Sequence, residues 1–475
     1  MAELERKDIQ GIVVSAYKHL PCAAYVLLHV SNPAATRQWI ADRLPEIMAS
    51  EAKHESRSVN LAFTYTGLQS LALKQDALDG FSFPFQEGMD AEYRSRLLGD
   101  TNENAPAGWD WGAGANPVDI LLLIFGRDEK TVDAELQKQQ AAFATGGLAI
   151  VKILRAGRQP NTKEHFGFAD GIGQPVMEGT GNKQRQLERT HHATELPVGE
   201  FLLGHPNVYG VIAPSPAVKP EEDPQQLLAV IPPDATGLNA EAGMHDFGRN
   251  GSYLVFRQLA QRVSAFWNFL DKASCKADGT SDPAARDRLG AKFVGRWKSG
   301  APLVLSPDRD DPKLGDENNF TYFDKDPHGV ACPIGSHIRR SNPRDSLGPD
   351  APTALKSANR HRILRRGRSY GHHLENPLVD DGAERGLHFI CLNSDIERQF
   401  EFVQQTWINN PVFSGLYEEV DPLVGDIAKG NKLFTVQSEP LRQTVQNLSR
   451  FVVVKGGAYF FLPSFRALNY LAKLK

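Results

Sequence analysis

Cysteine is scarce in this sequence. Cys22, Cys275, Cys332 and Cys391 are spread over 475 residues with no C-x-x-C pair, which excludes a disulfide framework and a cysteine-based structural zinc site. The lack of C-x-x-C-H excludes a thioether-tethered haem as well. No apolar run approaches the roughly 18 residues that a membrane-spanning helix needs. The opening stretch MAELERKDIQGIV mixes charges of both signs and has no apolar core, so neither a secretory leader nor a membrane anchor is expected. The expected setting is the cytoplasm. A dominant charge is missing too. Lys and Arg number 53 against 57 Asp and Glu, a formal net charge of −4, too weak a field for a general nucleic-acid or membrane-surface binder.

What is present reads as a globular enzyme. Hydrophobic residues make up 41% and charged residues 23%, ordinary values for such a chain, and the length suggests two domains. Strands are predicted at 23–30 (AAYVLLHV), 59–65, 118–126 and 148–154, with helices near 34–50 and 129–145 and a loop-rich insertion at about 78–116. That order, β-α-β twice, suits an α+β, ferredoxin-like sheet with helices on one face. The theme recurs later. A strand at 251–259 precedes Val263, Phe266, Trp267 and Leu270 at helical spacing, and a strand at 387–392 precedes Phe400, Val403, Trp407 and Ile408 on one helical face. Residues 450–462 read as two strands joined by a Gly-Gly turn. The stretches 214–235 and 306–328 read as loops, and FRALNYLAKLK at the end as a docked amphipathic helix.

Three segments carry candidate chemistry. HFGFADGIGQP (165–175) sets Asp170 among phenylalanines and glycines. It could be a plain turn. As a phosphate loop it is weak, because Pro175 does not suit a helix and a third glycine is absent. If functional, a carboxylate walled by Phe166 and Phe168 would be desolvated, with a raised pKa suited to a general base. CPIGSHIRRSNPRD (332–345) puts His337 at the head of a cationic run. From His337 to Arg368 there are nine Lys and Arg against Asp345 and Asp350. Such an excess points to an anionic partner (nucleic-acid phosphate, a substrate carboxylate or haem propionates) or to a solvated basic face. HRILRRGRSYG (361–371) sets Arg365 behind an apolar pair, from where it could project into a pocket.

Taken together these segments resemble the dye-decolorizing peroxidase family. GFADG matches the family's G-x-x-D-G motif, HIRRSNPR its proximal-histidine motif and ILRRGRSYG its distal-arginine segment. DIQG (8–11), GLHFICLNSDI (386–396), FVQQTWINN (402–410), DPLVG (421–425) and KGGAYFFLPS (455–464) extend the likeness along nearly the whole chain. The chain looks like the family's longer members.

The resemblance implies two ferredoxin-like domains, 1–225 carrying the G-x-x-D-G loop and 226–475 holding non-covalent haem b. It implies His337 as the proximal iron ligand, Asp170 as distal acid and base, and Arg365 as stabiliser of distal charge. Arg344 would pair with a propionate, while Leu387 and Phe389 would line the distal pocket. Asp421, with Asp426 as a rival, would accept from the other nitrogen of His337. The expected reaction is oxidation of dyes and small aromatic donors by hydrogen peroxide, with large donors served by a surface radical. Trp407 is the candidate, although its spacing with Phe400 and Val403 favours a core position. The alternatives are a haem-processing, deferrochelatase-type activity and a non-catalytic haem-binding protein. Neither nucleic acid nor membrane is expected as a partner; a homo-oligomer fits.

Overall fold

The run CAAYVLLHV forms strand β1 (Cys22–Val30), and its near-continuous hydrophobicity has a simple cause: both faces are buried. Tyr25 and Leu27 point one way into a core shared with Phe125 and Phe256, while Val26 and Leu28 point the other way towards Trp39 and Ile40. The computed structural model describes residues 4–52, 55–114, 116–159, 161–180, 195–233 and 241–474. The first half adds β2 (Arg57–Phe63), β3 (Ile120–Gly126) and β4 (Leu148–Gly157), paired antiparallel in the order β4-β1-β3-β2.

The second half repeats this arrangement with β5 (Ser252–Gln261), β6 (Leu364–Arg365), β7 (Arg368–Tyr370), β8 (Gly386–Asn393) and β9 (Val452–Leu462). Here β9 pairs with β5, β5 with β8, and β6 and β7 follow one another along the far edge of β8. The halves meet at two seams, each one residue pair long: Phe461 with Phe63, and Ser369 with Gly157. The result is a closed α+β barrel. Its interior is filled from both halves, by Leu121, Leu123 and Phe125 on one side and Leu254, Phe256, Ile390 and Phe460 on the other.

Helices cover the outside. Helix α1 (Pro33–Arg43) is capped by Asn32, whose side chain accepts from the Ala35 amide. It stops short of the expected residue 50 because Pro45 cannot continue an α-helix; a 3₁₀ turn at Leu44–Glu46 follows. Helix α2 (Glu129–Phe143) is capped by Asp128, and α3 (Val263–Ala273) buries Val263, Phe266, Trp267 and Leu270 as the periodicity requires. The closing helix, α4 (Phe465–Ala472), docks through Ala467, Leu468 and Leu471.

The structure differs from expectation in several places. The insertion 78–116 carries short helices, Phe83–Glu87 and Glu92–Leu98 among them. Within 214–235, of which 234 and 235 lie outside the described residues, Ala217–Val218 and Ala229–Val230 form short strands against His245–Asp246. Residues Glu397–Glu401 and Val403–Ile408 wind as π-helix. Residues 452–462 are one strand, not two, and the Gly-Gly pair is not a turn. A Cβ on Gly456 would stand 2.5 Å from the Trp111 indole nitrogen, and one on Gly457 2.6 Å from the Met89 sulfur. Glycine is needed there for close approach. Gly456→Ala is therefore expected to cost about 1–3 kcal/mol through overpacking, read as a lower urea midpoint with an unchanged slope.

Candidate functional site

His337 begins a short helix (His337–Ser341). Its Nδ1 lies 2.9 Å from Oδ2 of Asp421. The other oxygen of Asp421 accepts the amides of Leu423 and Val424, both at 2.9 Å, so the carboxylate is fixed within its own turn. A carboxylate at Nδ1 holds the ring proton there and leaves the Nε2 lone pair available. Burial opposes charge on both groups, but their mutual attraction outweighs it: the imidazole pKa is raised and the carboxyl lowered. The ring lies deep in the protein, yet 32% of its side-chain surface is open because it borders a cavity. Asp426 lies elsewhere in the network, paired with Arg450 at 3.2 Å and accepting from Thr101.

The HFGFADG loop reaches the same cavity. Its shape is set by left-handed glycines, with φ of 92° at Gly167 and 82° at Gly171. A Cβ at either would meet no protein atom within 4 Å, so within the protein it is the left-handed turn that calls for glycine. Glu164 ties the loop together. Its carboxylate accepts the amides of Phe166 at 2.8 Å and Phe168 at 2.9 Å, and the Gln261 side-chain amide at 2.7 Å. Burial raises the Glu164 carboxyl to about 7 even against these hydrogen bonds. Phe166 and Phe168 also border the cavity, but they pack chiefly against α3: Phe166 sits 4.5 Å from the Phe266 ring and Phe168 stacks on Trp267. They therefore do not wall Asp170 off from water. Its side chain is 43% exposed and ion-paired, with Arg365 Nη1 donating to Oδ1 at 3.2 Å. Arg365 is held by a second bond, 2.8 Å to the Ile172 carbonyl.

This cavity, of about 320 Å³, falls in the range of ligand and cofactor pockets. Leu387 and Phe389 line it from β8, where strand alternation sends His388 into the barrel interior instead. Arg344 lines it too, donating to the carbonyls of Asn318 and Phe320 at 3.0 and 2.9 Å with its guanidinium 3.7 Å over the Phe320 ring. Arg296 and Arg362 join it. Burial and the neighbouring Arg344 push Arg296 down to about 10 and Arg362 to about 9. Among the described residues none of these three arginines has a carboxylate partner, whereas the cavity's other arginines pair with Asp170 (Arg365) and Asp100 (Arg257). An imidazole with a free lone pair beside uncompensated guanidiniums suits a metal-bearing ligand with anionic arms.

Four more arginines of the 337–368 cationic run, Arg339, Arg340, Arg366 and Arg368, are buried and form no solvated face. Arg339 pairs with Asp326 at 3.0 Å, Arg340 donates to the carbonyls of Trp407 and Glu419, and Arg366 and Arg368 donate to carbonyls of the 12–20 segment. Trp407 is 6% exposed and packs against His361 and Phe402, which makes it a core residue and not a surface one.

Comparison with known proteins decides the family. A family model described as the DyP dimeric alpha+beta barrel domain matches residues 27–157. A dye-decolorizing peroxidase of Mycena epipterygia is 31% identical over 451 residues, 87% of this chain and 76% of the relative. This chain belongs to the dye-decolorizing peroxidase family. It is a peroxidase. A multifunctional dye peroxidase of an Amycolatopsis species is likewise 31% identical, over 77% of this chain and 74% of its own. A solved dye-decolorizing peroxidase, in complex with 2,6-dimethoxyphenol, superposes with a TM-score of 0.78 at 26% identity, covering 99% of this chain and 100% of that one.

Sequence reasoning missed Arg296 and Glu164. Arg296 stands in VGRWK with no pattern around it, and only the fold brings it beside Arg344. Glu164 immediately precedes the quoted loop, and nothing in the sequence around it signals that its carboxylate accepts the Phe166 and Phe168 amides. Its raised pKa has a consequence for stability. An acid with a higher pKa folded than unfolded binds more protons in the native state. Its contribution therefore falls as pH rises from the ordinary value of 4.5 to about 7. Glu164→Gln is expected to flatten this part of the stability–pH curve, seen in denaturant midpoints at pH 5 and pH 7.5.

Proposed function

We propose that the protein is a haem b peroxidase that uses hydrogen peroxide to oxidise dyes and small aromatic donors. The observation that carries this reading is the meeting of the Asp421–His337 dyad and the Asp170–Arg365 pair at one cavity whose wall holds uncompensated guanidiniums. His337 would ligate iron through Nε2 while Asp421 keeps the proton on Nδ1 and makes the ring a stronger electron donor. Arg344, with Arg296 and Arg362, would take the propionates. Leu387 and Phe389 would bound the peroxide side. The 1–225 segment would supply Asp170 as one domain, and 226–475 the other groups as the second. The four cysteines are free, which fits a reducing, cytoplasmic setting.

The bound haem would supply the redox-active iron at which peroxide is reduced. Asp170 would move the proton. Its Oδ1 is engaged by Arg365 and by the Gly171 amide at 2.6 Å, which leaves Oδ2 to accept a proton from peroxide and return it to the departing oxygen. The Arg365 guanidinium would offset negative charge as the O–O bond lengthens, and it would do so without reorganising, because the Ile172 carbonyl already fixes it. Two donor molecules would then each give up one electron.

Haem reconstitution followed by an absorption spectrum tests the reading; absence of a Soret band would overturn it. Asp421→Asn is expected to weaken haem affinity by roughly 10–100-fold, measured by transfer to an apo-globin acceptor. Asp170→Asn is expected to lower kcat/KM for peroxide by ~10²–10⁴-fold while leaving haem binding intact. Free porphyrin released from haem without peroxide would favour the haem-processing alternative.

A further inference from the structure

Asp170 stands on a stretch with little regular structure. Residues 165–175 contain no helix or strand, and Gly167, Gly171 and Gly173 give the backbone unusual freedom. After Asp170 the chain is tied by Arg365, which donates to Asp170 itself and to the Ile172 carbonyl. Before it, the chief tie is Glu164. The amides of Phe166 and Phe168 both donate to its carboxylate, and among the described residues neither amide has another acceptor. Both phenylalanines are buried, so weakening this acceptor leaves their amides short of a partner.

All three donors to Glu164 suit its charged form. Gln261, from β5, supplies the third at 2.7 Å, while its own side-chain oxygen is buried with no partner. That orphan oxygen is an acceptor one amide rotation away from Glu164. A protonated carboxyl has an O–H to donate, and a half-turn of the Gln261 amide presents the oxygen to it. The carboxyl atom that meets Gln261 is Oε2, which also accepts from Phe166. With a proton on it, Oε2 is a weaker acceptor for the Phe166 amide. Protonation therefore keeps the Gln261 contact and loosens the loop. Burial is the chief cause that raises the Glu164 carboxyl to about 7, and the Asp170 charge acts in the same direction. Other charged groups surround it. A smaller cavity of about 110 Å³, beside the main one, is bordered by Glu164 and Asp170 together with Lys18, Arg158, Lys163, Arg365, Arg366 and Arg368. On β5 the charged neighbours are already paired, Arg257 with Asp100 and Arg262 with Glu103. α3 turns Phe266 and Trp267 towards the loop, and β8 lines the cavity with Leu387 and Phe389.

We propose that Glu164 is a positioning residue: as a carboxylate it holds the loop that aims Asp170, and when protonated, with the Gln261 amide turned, it lets that loop relax. The inference rests on the peroxidase reading for its effect on turnover, but not for the loop's response to a proton. Reaction with peroxide then depends on the state of Glu164 as well as that of Asp170. As pH falls through the Glu164 ionisation, Asp170 is less well placed for the same chemistry.

The test uses the full chain. Amide hydrogen exchange, expressed as protection factors, should show the 165–170 segment losing protection as pH falls from about 8.5 to about 5.5, either side of the Glu164 ionisation. Glu164→Gln should show low protection at both ends. In the haem-loaded chain, kcat/KM for peroxide should rise with pH across the same interval. Glu164→Gln should lower it about tenfold at the upper end and abolish the rise, with the Soret band unchanged. Gln261→Leu removes a donor to the carboxylate and so favours the protonated form. It should move both steps to higher pH while leaving Glu164 and Asp170 in the chain. Steps that persist in Glu164→Gln, or that stay in place in Gln261→Leu, overturn the proposal. Exchange needs neither haem nor turnover, so failure of the peroxidase reading would leave that arm standing. Protection that is flat with pH in the wild type overturns the proposal and leaves the peroxidase reading intact.

Discussion

Arg296, Arg344 and Arg362 lie side by side on one cavity wall, and among the described residues no carboxylate pairs with them. Collecting guanidiniums inside a protein is unfavourable unless something neutralises them. The surrounding structure is organised to make the arrangement tolerable. Carbonyls of Gly300, Glu317, Asn318, Phe320 and Gly173 accept from the three side chains, and the Phe320 ring lies against two of them. These contacts orient the arginines but do not cancel their charge. The fold thus holds in place a demand for anions that a ligand must meet, and this demand, next to His337, gives the cavity its chemical character.

The HFGFADG loop shows the same logic with the opposite sign. Glu164 is a buried carboxylate whose three hydrogen bonds bind the loop to itself and to β5. Trp267 donates to the Phe166 carbonyl, and Arg362 and Arg365 to those of Gly173 and Ile172. The loop precedes the second half in sequence, yet these partners all come from that half. Asp170 is therefore positioned by the same body that positions His337.

Much of this was legible in the sequence because it was local. The strands declared themselves by apolar runs bounded by turn residues, α3 by its spacing, and the candidate ligands by motifs that are contiguous in the chain. What stayed hidden depended on distant partners. The Gly456–Gly457 pair looked like a turn, and only the approach of Trp111 and Met89 explains it. Phe166 and Phe168 looked like walls around Asp170, but α3, nearly 100 residues on, claims them. Trp407 has the helical spacing of a buried residue, and the packing of His361 and Phe402 makes it one. The cationic run read as a single feature. Folding splits it between buried struts, Arg339, Arg340, Arg366 and Arg368, and the cavity-lining Arg344, Arg362 and Arg365, a division that no count of charges could reveal.

The barrel has a consequence for assembly. Either sheet alone would expose an apolar inner face, Leu121, Leu123 and Phe125 on one or Leu254, Phe256, Ile390 and Phe460 on the other. Separate chains could bury those faces only by meeting in solution, with an affinity and a dependence on dilution. One chain carrying both makes the encounter intramolecular, at an effective concentration set by the connecting segment. Closure of the barrel is thereby independent of how much protein is present, and the two sheets, free to diverge in sequence, are always matched one to one.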